Sequence, residues 1–173
     1  MKKQNIKSIL TNARLRLAAV TCLILAALGL PTAELVRGGG SPPQPINVTL
    51  FVPASVCGFP AQITITGRQG VISLPGGGFL VTAPATTAVF TNLSDPTKSV
   101  TINGFTGPAI ITTDQNGNTI LRGLGRGAIF DPATPGFGIR FQEGDFTLVF
   151  DPNGNLLQDT GHGLVTNVCD LID

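Results

Sequence analysis

The fold class this sequence predicts is all-β: an antiparallel meander of about eight to ten strands, closed as an up-and-down barrel, with a two-sheet β-sandwich as the alternative. Three observations predict it. Thr, Val, Ile and Phe dominate short runs, and no run keeps a helical period. Turn signals separate successive runs, and those connections are too short for the dozen or more residues a parallel crossover needs. Two cysteines, Cys57 and Cys169, stand at opposite ends of the strand-rich region. A meander that long must close or stack to hide its edges, and a bridge between its ends favours closure.

Taken in order, residues 1–33 read as a signal peptide. Lys2, Lys3, Lys7, Arg14 and Arg16 form a basic start without an acidic residue, and the apolar run Leu17 to Leu30 follows. A membrane-spanning helix needs roughly 20 such residues, so this shorter run fits a cleaved signal better, with the cut after Ala33. An uncleaved N-terminal anchor is the alternative. Residues 34–45, containing "RGGGSPPQP", read as a Gly/Pro linker. Residues 46–173 then form a single domain.

Removing residues 1–33 reverses the charge balance. Five of the eleven Lys/Arg lie in that segment and none of the ten Asp/Glu, leaving six basic residues against ten acidic ones. A chain with a net charge near −4 and five scattered arginines has no electrostatic footprint for nucleic acid. The expected location is extracellular, with no membrane contact after cleavage. Cys22 leaves with the signal, and Cys57 and Cys169 remain as one pair. An oxidising compartment favours a disulfide between such a pair, with two buried free thiols as the alternative. Two cysteines and the chain's single histidine are too few for a zinc site.

Within the domain, "AQITITG" alternates, with Ala61, Ile63 and Ile65 on one face and Gln62, Thr64 and Thr66 on the other. Hairpins are expected at "PGGG" (75–78), "SDPT" (94–97), "DQNGN" (114–118), "QEGD" (142–145) and "DPNGN" (151–155). In "LRGLGRG", Gly123, Gly125 and Gly127 share one face, while Arg122, Leu124 and Arg126 share the other. Interior strand glycines mark a sharp bend, or a bare face against which a ligand can lie.

Chemical motifs are sparse. "TDQNGN" and "FDPNGN" resemble calcium loops, but the carboxylate required at loop position 12 is replaced by Gly125 and His162. Asn-Gly turns account for both stretches. His162 has no "GxSxG" serine to serve, and Ser41, Ser55, Ser73, Ser94 and Ser99 stand in linker, turn or strand contexts. Glu143 and Asp145 flank a glycine like a carboxylate pair, but a hairpin tip has no cleft of its own. Asn47 and Asn92 begin glycosylation-type triplets. No catalytic residue, metal or cofactor is assigned.

In order, the chain carries "CGFPAQITITGRQ", "NLSDPTKSVTINGFTG", "TILRGLGRGAIF" and "GHGLVTNVCDLI". This series resembles a set of small secreted bacterial proteins with a Cys-x-Phe-Pro strand first, a threonine-rich hairpin in the middle and a Val-x-Asp/Asn-x-Cys strand last. The resemblance covers roughly Cys57 to Ile172 and departs from the set at "DPT" before "KSV". It implies secretion and a disulfide, and implies no activity.

The function expected is that of a secreted non-enzymatic domain binding a small apolar ligand. Phe is the only aromatic residue type, at ten copies with no Tyr or Trp, which suits a core or greasy cavity better than a sugar platform. The residues expected to face the ligand are Gly123, Gly125, Gly127, Arg122, Arg126, Arg140 and His162, with the arginines suited to a carboxylate head group. The alternatives are an extracellular structural or interaction module, and an isomerase-like barrel enzyme acting on an apolar substrate.

Overall fold

The computed structural model describes residues 42–173, so the signal-peptide segment and most of the linker lie outside the described residues. Nine strands follow in order: β1 (Gln44–Val52), β2 (Ala61–Ser73), β3 (Phe79–Thr82), β4 (Thr87–Asn92), β5 (Ser99–Asn103), β6 (Ala109–Thr113), β7 (Thr119–Ile129), β8 (Arg140–Phe150) and β9 (Leu156–Asn167). One helical turn, α1 (Ala54–Cys57), joins β1 to β2, and a 3₁₀ turn (Val168–Leu171) ends the chain. β1 starts two residues ahead of the expected domain boundary. The Arg68 guanidinium fastens that start by donating to the Pro43 carbonyl at 3.0 and 3.1 Å.

All ladders are antiparallel, in the order β5-β4-β2-β3-β6-β7-β8-β9, with β1 on β2. The order departs from a plain meander. β3 pairs with β6, so the β4–β5 hairpin is set aside onto the first half of β2. β2 is long enough to serve both groups. Residues 61–69 carry β1, residues 61–66 carry β4, and residues 70–73 carry β3. Among the described residues β5 pairs only with β4 and β9 only with β8, so hydrogen bonding does not close the sheet.

Four of the five expected turns are hairpins or strand connections where expected. The fifth is not. "QEGD" lies inside β8, which runs unbroken from Arg140 to Phe150 against β7 on one side and β9 on the other. What Gly144 marks is a crease. Gly125, Gly144 and Gly163 are register partners on three adjacent strands, and all three have φ between 126° and 149°. A Cβ on Gly144 would collide with the His162 carbonyl, and one on Gly163 with that of Glu143. Gly107, bonded through its N–H to the Arg126 carbonyl at 2.7 Å, extends the row to a fourth segment. At Gly107, Gly144 and Gly163 backbone passes backbone too closely for any side chain, while at Gly125 it is the positive φ that favours glycine.

The bend this permits is large. A Cβ at Gly127 would lie 2.8 Å from Cζ of Phe146, and one at Gly123 would fall within the same ring. Both positions therefore crowd one atom, whereas four residues of straight strand span about 13 Å.

The main core packs the end of β1, the helical turn after it and the C-terminal segment against β2 and β4. Val52, Val56, Ala61, Ile63, Phe90, Phe105, Ile139, Phe141, Val168 and Ile172 are its buried members. Phe105 meets Phe90 edge-on at 5.7 Å and stacks on Phe141 at 6.0 Å. Ala61, Ile63 and Ile65 face this core together, as their alternation predicts. Cys57 and Cys169 form the disulfide, with their Cα atoms 5.4 Å apart across 112 residues of sequence. Asn92 completes the closure. Its side-chain amide donates to the Ile172 carbonyl at 3.0 Å, and its oxygen accepts from the N–H groups of Ser94 and Asp95. This buried amide, bonded through both its nitrogen and its oxygen, is a structural clamp, so its glycosylation-type triplet is not displayed as an acceptor. A second, smaller core of Ile129, Phe146, Leu148 and Phe150 lies beyond the crease.

Candidate functional site

The apolar faces of the two strand groups meet around a cavity of about 170 Å³. β1 supplies one wall through Ile46, Val48 and Leu50, alternate residues of "INVTLFV" whose period of two turns them inward together. Val81, Ile111 and Leu121 come from β3, β6 and β7. Phe146, Leu148 and Phe150 form the β8 wall, and the crease brings the Phe146 ring over Gly123 and Gly127. The side chains of β1 are only half-buried, so the cavity is a partly open cleft.

Polar groups in this wall are few: Gln69, Thr106 and Arg126. The Thr106 hydroxyl shares a 2.7 Å hydrogen bond with that of Thr86. The Arg126 guanidinium is held at the rim, paired with Glu143 at 2.6 Å and donating to the Asn103 carbonyl at 3.1 Å. Gln69 differs. Its Oε1 is buried and accepts no hydrogen bond.

A second, polar cleft of about 230 Å³ lies along β8 and β9. Asp159 anchors it, accepting from Arg140 at 2.9 Å and from Gln142 at 2.8 Å. Arg140 also lies over the Phe137 ring, 4.7 Å from its centre. His162 lines this cleft from an exposed position, with Asp145 as its register partner.

The structure thus divides the residues expected to face a ligand. Gly127 and Arg126 line the apolar cavity. Gly123 lies beneath Phe146, so its bare face is filled by a ring rather than left open. Gly125 turns away toward Gly107 instead of sharing the face of its neighbours. Arg140 and His162 belong to the polar cleft, and Arg122 is exposed and lines neither. The three arginines do not converge, and two are already matched with carboxylates, so they form no common receptor for a carboxylate head group. Sequence reasoning missed the β1 wall, although the alternation Ile46, Val48, Leu50, Val52 signals it. It also missed Gln69, for which no local signal exists.

The repeated Asp-x-Asn-Gly-Asn loops are matched hairpin turns. Asp114 Oδ1 accepts from the backbone of Asn116 and Asn118, and Oδ2 from the Asn118 side chain, all within 2.9 Å. Asp151 does the same with Asn153 and Asn155. These bonds hold both carboxyls below their ordinary range, the backbone N–H of Asn118 acting most on Asp114 and the side-chain amide of Asn155 most on Asp151. Both oxygens of each carboxylate are engaged within the turn itself.

Comparison with protein families, curated proteins and solved structures finds no match to this chain.

Proposed function

We propose that this is a secreted, non-enzymatic domain that binds a small apolar ligand in the cavity between β1 and the β6–β8 face. The observation that carries the reading is the cavity itself, walled by aliphatic and Phe side chains from both strand groups. An apolar cavity of about 150 Å³ stays dry and takes up a molecule the size of benzene. The architecture is read as an opened barrel, in which β2 turns the corner and the Cys57–Cys169 bridge ties the β1–β2 connection to the segment that follows β9. An extracellular setting is supported by that bridge, by the basic and apolar N-terminal segment, and by the resemblance to small secreted bacterial proteins. Among the described residues no helix is long and apolar enough to cross a membrane.

The test is a titration of the purified protein with toluene, followed by amide chemical shifts. The expected result is saturable shifts clustered at Val48, Leu121 and Phe146. An absence of saturable change sinks the reading. A second reading, an extracellular interaction module, has one observation in its favour. β9 ends the sheet order with Leu157, Leu164 and Val165 more than half exposed.

A further inference from the structure

Buried polar groups in this domain are otherwise well satisfied. Asn92, Gln142 and Thr86 are buried and each is hydrogen-bonded. Among the described residues, Gln69 Oε1 is the one buried side-chain polar atom without a partner. Gln69 is one of the residues that line the cavity, while the other two polar wall residues are engaged elsewhere. An unmatched buried acceptor is costly, so a site that holds one gains by receiving a donor.

We infer that the occupant of the cavity is a neutral, single-ring-sized apolar molecule carrying one hydroxyl, which donates its proton to Gln69 Oε1. The inference rests on the apolar-ligand reading and narrows it. Size follows from the volume, which is close to that of cavities taking a single aromatic ring. Neutrality follows from Arg126, whose charge Glu143 already balances at 2.6 Å. An anionic head group has no unmatched cation in this wall to meet, and it brings a carboxylate toward an acceptor oxygen.

Three probes of matched shape separate the possibilities: p-xylene, p-cresol and 4-methylanisole. The first has no polar atom, the second a donor, and the third an oxygen with no proton to give. Calorimetric titration of the intact protein is expected to rank p-cresol about tenfold tighter than either of the others, as one satisfied buried group implies. In Gln69→Leu the advantage is expected to vanish while p-xylene still binds. Equal affinities in the wild type, tighter binding of 4-methylanisole, or a p-cresol advantage surviving Gln69→Leu each overturn the inference and leave the apolar-ligand reading standing. Failure of all three probes to bind the wild type overturns both. The wild-type ranking decides the matter without the variant if Gln69→Leu does not fold.

Discussion

The two halves of this domain solve the same problem in different ways. Around the disulfide, β1, β2, β4 and the C-terminal segment enclose a dense core in which Phe90, Ile139, Val168 and Ile172 are fully buried and the Asn92 amide is hydrogen-bonded through both its nitrogen and its oxygen. In the other half, β7, β8 and β9 carry six glycines within their strands, hold a smaller core and line parts of both clefts. Burial stabilises the first half, while bending shapes the second. Room for a ligand appears where the chain forgoes side chains in order to fold its sheet sharply.

Removing the bridge is expected to have the largest effect. Closing a loop of 112 residues stabilises by about 4–5 kcal/mol in the chain-entropy model, so Cys57→Ser with Cys169→Ser lowers the urea midpoint sharply. A loss below about 1 kcal/mol contradicts the picture of a bridge that fastens the dense half.

Matched truncations compare the halves directly. Ile63→Ala, in the dense core, is expected to cost about 4 kcal/mol, and Leu148→Ala, on the cavity wall, about 2 kcal/mol. Leu148 already lacks neighbours on its cavity side, so there are fewer contacts to lose. Equal costs in denaturant unfolding erase the contrast.

Gly144→Ala probes the crease. Its φ of 135° and the facing His162 carbonyl make a side chain there cost about 2–3 kcal/mol. The cavity is expected to change with it, read as altered toluene shifts at Phe146. Unchanged stability and unchanged shifts mean that the crease does not shape the site.

The smallest effect lies in the paired turns. The carboxyls of Asp114 and Asp151 are depressed in the folded chain, so their contribution is present at neutral pH, above the ordinary value of 3.8. It is lost as pH falls through the lower folded value. Asp114→Ala with Asp151→Ala is expected to lower the urea midpoint slightly at pH 7 and to match the wild type more closely in acid, below both the folded and the ordinary values. A gap that widens in acid reverses the assignment.

Legibility from sequence follows the range of the interaction. Pro-Gly, Asp-Pro and Asn-Gly turns act within four or five residues, and the hairpins at 75–78, 94–97, 114–118 and 151–155 stand where local chemistry puts them. The burial of Ala61, Ile63 and Ile65 is equally local. Gly144 misled because a glycine that admits a neighbouring backbone and one that makes a turn look alike along one strand. Only the register that aligns it with Gly125 and Gly163 tells them apart. The displacement of β4–β5 onto β2 depends on pairings between distant segments, which no period announces. Arg122, Arg126 and Arg140 look like a cluster in sequence, but Glu143 and Asp159 draw two of them to different clefts.

The Cys57–Cys169 bond also changes what a cut in this chain means. Every strand from β2 to β9 lies between the two sulfurs, so those strands belong to a covalent ring. A protease that nicks one exposed turn in that ring, such as Gly76–Gly77 or Asn153–Gly154, opens the ring without releasing a fragment. The nicked molecule stays one covalent species, heavier only by the water of hydrolysis, until it is reduced, and only then separates into two pieces. Intactness measured by mass and intactness measured by connectivity are therefore different properties of this protein.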